Sequence, residues 1–335
     1  MKRCFELALL GSGYVAPNPL VGAVVVYNNT IIGEGFHQNY GEAHAEVNAI
    51  NSVEDQSLLS DSTIYVSLEP CAHYGKTPPC ADLIVKHRFK RVVIGCGDSY
   101  NEVDGKGIQR LREHGIEVTA FVLEEEARKI NKAFFTFHEK KRPYILLKWA
   151  QSSNARIDAK KTSEGEITWI SRPEVQPIVH QLRSEYHGIL VGKNTVIGDN
   201  PSLTVRAVRG KNPVRIVLDS HCEIPKNKKV LSDGHPTIVL NLKKDTIEGG
   251  TIYHKINDMS VASILAALYE RNIQSILIEG GAKTMQAFID ANLWDEALVI
   301  HGQKSIPEGT KAPILEAKFV EERIVFGDRL KYYTS

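Results

Sequence analysis

The sequence predicts an α/β protein of two domains, and three observations carry that reading. At roughly 100 to 200 residues per domain, a chain of 335 residues calls for two cores. Short apolar runs alternate with stretches of helical period, as expected when helices cover a sheet. The alternation stops and restarts at Lys140-Lys141-Arg142-Pro143, where basic residues suit a helix end and proline blocks its continuation. The domains are therefore expected at residues 1–142 and 143–335.

Taken in order, KRCFELALLG reads as a helix, and LVGAVVVY and TIIGEG as strands joined at Asn28-Asn29 in a hairpin. AHAEVNAINSV has helical spacing, STIYVSLEP reads as a strand and CADLIVKHRF as a helix. RVVIGC, GKGIQRLREHG and Ile116 to Val118 continue as strand, helix and strand. EEEARKINKAFFTFHEKK reads as one long charged helix that closes the first domain. In the second half YILLKWAQ, HGILVG, PVRIVLD, PTIVLNL, QSILIEGG and EALVIHG are strands of a broad sheet. Among the helices between them, one is expected from Arg172 to Tyr186, opened by a capping box of Ser171 and Glu174.

With 42% hydrophobic and 24% charged residues, the composition excludes disorder, collagen and a disulfide scaffold. The 41 basic and 40 acidic residues nearly cancel, and neither half is strongly basic, so no field draws the chain to nucleic acid or an anionic membrane. Cys4, Cys71, Cys80, Cys96 and Cys222 are an odd count in a long chain, which fits reduced thiols and a cytoplasmic location. The first residues hold a short apolar run interrupted by Glu6, below a signal-peptide core, and no stretch is long enough to span a bilayer.

The sharpest feature is His44-Ala45-Glu46, followed by Glu69-Pro70-Cys71 and, after eight intervening residues, Cys80. One histidine and two thiolates at the ends of predicted elements are metal-ligand types that leave one tetrahedral corner of Zn²⁺ for water, the mark of a catalytic site. Glu46 stands two residues from His44 and would not share its helix face, so it is cast as a proton shuttle rather than a ligand. H-x-E…P-C-x-x-C is the zinc-deaminase signature, although here the cysteines are spaced wider. A closed structural zinc would need His73 as its fourth ligand. Cys4, Cys96 and Cys222 read as packing residues. Gly11 to Ala16 formally fits a dinucleotide fingerprint, but a helix precedes it and Pro17 and Pro19 follow it, so it reads as a loop.

The strings Pro17 to Ala23, Gly41 to Val47 and Leu68 to Cys80 make the first half similar to the cytidine-deaminase-like superfamily. More specifically, they resemble the bifunctional riboflavin-biosynthesis deaminase/reductase. The resemblance continues through Leu147-Lys148, Val179 to Arg183, Asn194 to Val196, Pro201 to Arg206 and Glu279 to Gly281, covering nearly the whole chain. It implies a cytidine-deaminase-like α/β/α domain followed by a dihydrofolate-reductase-like α/β domain. The first would hydrolytically deaminate 2,5-diamino-6-ribosylamino-4(3H)-pyrimidinone 5′-phosphate. The second would reduce the ribosyl group of the product with NADPH.

The resemblance also implies His44, Cys71 and Cys80 as zinc ligands, Glu46 as the acid/base, and Asn18 and Lys76 as substrate contacts. An ammonium at Lys76 could act on a phosphate, or could equally be a solvated loop lysine. In the second domain it places Ser153, Trp169, Thr195, Asp199, Ser220 and the turn Gly281-Ala282-Lys283-Thr284 at the cofactor, with Arg183, Leu203, Arg206 and Glu279 at the substrate. The turn has a reason of its own, because a strand running into a helix through glycines leaves backbone amides for a phosphate. Arg183 and Arg206 could grip a phosphate or be ordinary paired arginines.

Four positions depart from the family. Asn154 and Ala155 replace an aspartate and a glycine of a turn, Ile167 stands where a serine touches substrate, and Asn200 replaces the second aspartate of a pair. The expected partners are small phosphorylated pyrimidines, with no nucleic acid and no membrane, and a homo-oligomer is left open. Two rivals stand beside this reading. One is a tRNA or single-stranded DNA base deaminase, which would need a basic groove with stacking aromatics. The other is an active deaminase with a non-catalytic second half.

Overall fold

The structure is a computed structural model that describes residues 1–72, 78–99, 105–160 and 168–335. Two units separate by their internal contacts, Met1–Lys141 and Arg142–Ser335, and both are α/β as expected.

The first unit begins with α1 (Lys2–Leu9) and the hairpin of β1 (Gly22–Tyr27) and β2 (Thr30–Phe36). Asn28 and Asn29 have φ of 47° and 61°, the left-handed pair that a tight two-residue hairpin turn requires. Next come α2 (Ala45–Asn51), β3 (Thr63–Leu68), α3 (Cys80–Lys86), β4 (Arg91–Cys96), α4 (Lys106–Glu113) and β5 (Glu117–Thr119). Among the described residues the sheet has five strands in the order β2-β1-β3-β4-β5, with β3, β4 and β5 parallel. Val25, Ile64 and Ile94 on one face pack under Ala49 and Ile50 of α2 and Ile84 of α3. The opposite face meets α1 through Cys4 and Leu7. Helix α2 lies directly on β2, because a Cβ at Gly35 would stand 2.3 Å from the Ala49 nitrogen. That contact fixes the helix start that carries His44 and Glu46.

The long helix expected to close this unit is two helices, α5 (Glu124–Ile130) and α6 (Lys132–Lys140). Asn131 breaks it because its side chain is bonded elsewhere. It accepts from the Leu20 N–H and donates to the Leu20 carbonyl, both at 2.8 Å. A local periodicity argument cannot see a partner 111 residues away.

The second unit runs β6 (Tyr144–Gln151), β7 (Arg156–Ala159), α7 (Gln176–Glu185), β8 (Gly188–Gly192), α8 (Lys193–Asp199), β9 (Val214–Leu218) and α9 (Lys229–Ser232). It continues with β10 (Thr237–Asn241), β11 (Thr246–Glu248), β12 (Thr251–Lys255), α10 (Val261–Glu270), β13 (Ser275–Gly280) and α11 (Ala282–Asp290). It ends with β14 (Glu296–His301), β15 (Gly309–Lys311), β16 (Lys318–Val325) and β17 (Asp328–Thr334). Ten strands of the described residues form one sheet, β11-β12-β10-β9-β8-β13-β6-β14-β17-β16. The strands from β12 to β14 are parallel, which explains their unbroken apolar runs: Ile276, Leu277 and Ile278 are fully buried because helices cover both faces. The pair β7 and β15 stands apart.

The capping box expected before α7 is absent. A short 3-10 turn at Pro173–Val175 precedes the helix with no side-chain cap, and the Arg172 N–H instead donates to Asp328 at 2.7 Å. No described helix is long and apolar enough to cross a membrane.

Candidate active sites

His44 immediately precedes α2 with an extended backbone (φ −72°, ψ 165°), whereas Glu46 lies in the first helical turn. Cys71 follows β3 and Cys80 opens α3. These elements bring His44 Nδ1 to 3.7 Å from Cys71 Sγ and 3.3 Å from Cys80 Sγ, and the Cys80 N–H donates to Cys71 Sγ at 3.3 Å. All three ligand atoms lie within 4.8 Å of one another, and among the described residues no fourth His, Cys or carboxylate joins them. One imidazole nitrogen and two sulfurs at such separations are a donor set that fits zinc with a corner left open. His73 and Lys76 lie outside the described residues.

Cys71 is pulled to lower pKa, first by the hydrogen bond with Cys80 and then by His44, while Cys80 is pushed up against the Cys71 charge. Glu46 is 3% exposed, and burial, aided by the charge on Cys71, pushes its carboxyl up to about 7. A carboxyl so poised can both give and take a proton near neutrality. By contrast, burial raises the thiols of Cys4 and Cys96 to about 11 and about 12, as suits packing residues. Cys222 is only partly buried.

Two residues have roles that the sequence reading did not assign, although Glu69 was named in the Glu69-Pro70-Cys71 string. His37, 3% exposed, places Nδ1 3.0 Å from the Ala43 carbonyl and Nε2 3.0 Å from Asn18 Nδ2. A carbonyl can only accept, so Nδ1 carries the proton and Nε2 accepts from the Asn18 amide. Asn18 is thereby oriented with its carbonyl oxygen as the end that can accept from a ligand. The His37 ring also meets His44 edge-on, with centroids 5.4 Å apart. Glu69 is the other residue. Its carboxylate accepts from the N–H groups of Gly105 and Ile108, each at 3.1 Å, and fastens the end of β3 beside Cys71 to the start of α4. Residues Gly11 to Ala16 follow α1 as turns, with no helix behind them before α2, so they are not a dinucleotide fold.

In the second unit the residues expected at the cofactor gather at the carboxyl ends of parallel strands, where open α/β sheets bind ligands. Ser153 follows β6, Thr195 and Asp199 lie on α8 behind β8, Ser220 follows β9, and Gly281 to Thr284 follow β13. The Gly281 N–H donates to Thr195 Oγ1 at 3.0 Å. A Cβ at Gly280 would stand 2.9 Å from Thr195 Oγ1, and one at Gly192 would stand 2.7 Å from Thr284 Oγ1. With φ of +39°, Gly281 starts α11 without a side-chain cap. This main-chain cradle at a helix start fits the phosphates of a dinucleotide. Trp169 is half-exposed, and Lys304 links it to Ser153, donating to the Trp169 carbonyl while its own carbonyl accepts from the Ser153 N–H at 2.9 Å.

Of the residues expected at the substrate, Arg183 and Glu279 form a two-bonded pair at 3.0 and 2.6 Å, and Arg183 also donates to the Thr204 carbonyl. Burial alone would raise the Glu279 carboxyl, but the charges of Arg183 and Lys148 outweigh it and hold it at about 2. Lys148 is thus a third ionisable member of this cluster, its own pKa lowered by burial. Arg206 donates to Thr204 Oγ1, and its N–H donates to Nδ1 of His180, whose burial keeps it neutral with a pKa of about 4. Leu203 turns its side chain into the core at φ +56°, so only its backbone is available to a ligand. That strained backbone is the kind retained at functional loops.

The departures have structural answers. Asn154 accepts from the Ile306 N–H at 3.0 Å, donates to the Ile306 carbonyl at 2.8 Å and accepts from Ser152 Oγ, so the turn survives without a carboxylate. Ala155 adopts φ +55°, a conformation that favours glycine. Asn200 ends α8 in the left-handed region and accepts from the Lys229 N–H. Ile167 lies outside the described residues.

Residues 1–96 match the family model of the cytidine and deoxycytidylate deaminase zinc-binding region, and residues 143–312 match that of the RibD C-terminal domain. Riboflavin biosynthesis protein RibD of Aquifex aeolicus is 40% identical over 331 residues, covering 97% of this chain and 92% of the relative. RibD of Bacillus amyloliquefaciens is 42% identical over 327 residues, covering 94% and 86%. Among solved structures, the diaminohydroxyphosphoribosylaminopyrimidine deaminase/5-amino-6-(5-phosphoribosylamino)uracil reductase of Thermotoga maritima superposes with a TM-score of 0.90 at 39% identity, covering 100% of this chain and 97% of that one. Acinetobacter baumannii RibD gives 0.90 at 31% identity, with 99% and 97% covered. With a zinc-type donor set in one unit, a main-chain turn at a helix start that fits phosphates in the other and relatives along its whole length, this chain belongs to the RibD family of riboflavin biosynthesis proteins.

Proposed function

We propose that the first unit hydrolytically deaminates 2,5-diamino-6-ribosylamino-4(3H)-pyrimidinone 5′-phosphate, and that the second reduces the resulting 5-amino-6-(5-phosphoribosylamino)uracil to its ribityl form. The chain is a bifunctional deaminase and reductase of riboflavin biosynthesis, using zinc and NADPH. The observation that carries the reading is the meeting of His44 Nδ1 with two cysteine sulfurs beside a buried Glu46. Zinc, when bound, makes a water nucleophilic near neutral pH, and NADPH supplies a hydride.

The chain's own residues do the rest. His44, Cys71 and Cys80 hold the metal. Glu46 moves protons at its carboxyl oxygens, taking one from the attacking water and delivering one to the departing amine. Asn18, held by His37, accepts a hydrogen bond from the pyrimidine. In the second unit the Gly281–Thr284 turn, with Thr195, Ser153, Trp169, Asp199 and Ser220, positions the cofactor. Arg183, Arg206 and Glu279, with the Leu203 backbone, position the sugar phosphate, and Glu279 keeps Arg183 ionised and oriented. Cytosolic chemistry agrees with five unbridged cysteines.

The test is metal content together with ammonia release from the diaminopyrimidine phosphate, in the native chain and in Glu46→Gln. The variant is expected to keep one zinc and to lose at least about a hundredfold in turnover, the usual range for a general acid/base. Loss of zinc with Glu46 would overturn its assignment.

A further inference from the structure

Between α8 and β9 the chain forms neither helix nor strand, and among the described residues none from Pro201 to Gly210 makes a backbone-to-backbone hydrogen bond. This stretch nevertheless carries Leu203 and Arg206. Side chains from outside take the place of a ladder. Arg215 of β9 donates to the Ser202 carbonyl at 3.2 Å, Arg183 of α7 donates to the Thr204 carbonyl at 3.2 Å, and the Val205 N–H donates to Asn212 Oδ1 at 2.8 Å. His180, also on α7, takes the next two amides, its Nδ1 accepting from the Arg206 N–H at 2.8 Å and from the Ala207 N–H at 3.4 Å. Backbone groups away from water need partners, so these four side chains decide which conformation the loop keeps.

His180 acts on the loop in its own way. An amide can only donate, so Nδ1 is bare and the ring proton sits on Nε2. Two successive amides converge on one atom only over a narrow range of dihedrals at Arg206, so the imidazole sets the direction in which the Arg206 side chain leaves the backbone. That side chain is then steadied by Thr204 Oγ1 at 2.9 Å. His180 is 5% exposed and stands three residues before Arg183, a spacing that shares one helix face. One face of α7 therefore carries both the guanidinium paired with Glu279 and the ring that aims the second guanidinium. The far end of the loop rests on the same helix, because a Cβ at Gly210 would stand 2.4 Å from the Ser184 Cβ.

Resting on the reading that Arg183 and Arg206 meet the sugar phosphate, we propose that His180 is a positioning residue of the reductase, whose bare Nδ1 fixes the backbone of Arg206 and Ala207 and through it the hold on the phosphate. The experiment measures reduction of the aminouracil substrate at saturating NADPH by the full-length native chain, His180→Asn and His180→Leu. Asparagine places Oδ1 where the imidazole has Nδ1 and keeps the acceptor, whereas leucine keeps bulk and loses it. An interaction that holds a remote phosphate equally in the ground and transition states acts on KM. His180→Leu is therefore expected to raise KM at least about tenfold, the effect of a buried amide left unpaired, with kcat within about threefold. His180→Asn should bring KM back to within about threefold of native, and NADPH affinity, read by fluorescence titration, should stay within about twofold in both. Ammonia release and a cooperative melt show that each variant is folded. If packing were the whole role of His180, leucine would serve at least as well as asparagine, which is the opposite order. A second measurement needs no substitution: the nitrogen-15 resonances of His180 in the native chain at pH 7 should show Nδ1 bare and Nε2 protonated. The reverse tautomer, the opposite order of variants, an unchanged KM in His180→Leu or a loss of NADPH affinity would overturn this inference alone. A native chain that reduces no aminouracil would overturn the functional reading and this inference with it.

Discussion

Asn18 and Ala155 show how much of this molecule turns on single side chains. Asn18 presents its carbonyl outward only because buried His37 accepts from the amide end, so His37→Leu leaves the asparagine free to rotate and strips a partner from the Ala43 carbonyl. The deaminase kcat/KM is expected to fall about tenfold to a hundredfold, the worth of roughly one or two buried hydrogen bonds. Zinc content should stay at one per chain, which metal analysis checks. Ala155 sits at φ +55°, where an L side chain is strained by about 1 kcal/mol and glycine is not. Ala155→Gly is accordingly expected to raise the melting temperature of the second unit by a few degrees in calorimetry, leaving the Asn154–Ile306 bonds in place.

Among the elements, the break at Asn131 joins local geometry to the first site. Its amide closes on both backbone groups of Leu20, two residues from Asn18, so removing it frees a partly buried donor and a partly buried acceptor together. Asn131→Ala is expected to cost about 2 kcal/mol in urea unfolding, roughly 1 for each of the two partly buried groups left unpaired, the low end of the range for buried ones. This bond also marks the limit of what could be read from sequence. Elements whose apolar pattern is strong, such as Ile276-Leu277-Ile278 or the β1–β2 hairpin with its two asparagines, are plain in the sequence because local preference and burial agree. The helix break and the Asp328 bond that stands in for a capping box depend on partners far along the chain. The hairpin β16–β17 went unread because Glu321, Glu322, Arg323 and Lys331 mask its alternation. The metal residues were legible because few other arrangements bring His, Glu and two Cys into that order. His37 and Glu69 were not, since a histidine or a glutamate that orients a neighbour carries no spacing of its own.

For the molecule as a whole, every proposed metal ligand lies in the first unit and every residue expected at the cofactor in the second. Removal of zinc with a chelator is therefore expected to abolish ammonia release while leaving NADPH oxidation on supplied aminouracil substrate within about twofold of its starting rate. Loss of both together would contradict the separation. The order of strands adds a consequence in time. β13, which leads into Gly281, is inserted between β8 and β6, strands that leave the ribosome about 90 and 130 residues earlier. During synthesis the older strands must wait with a gap at the centre of their sheet, and the cradle proposed for the dinucleotide is complete only when the chain has reached Thr284, in the last fifth of the polypeptide. A message cut short before that point would yield a chain able to start the two-step conversion and unable to finish it.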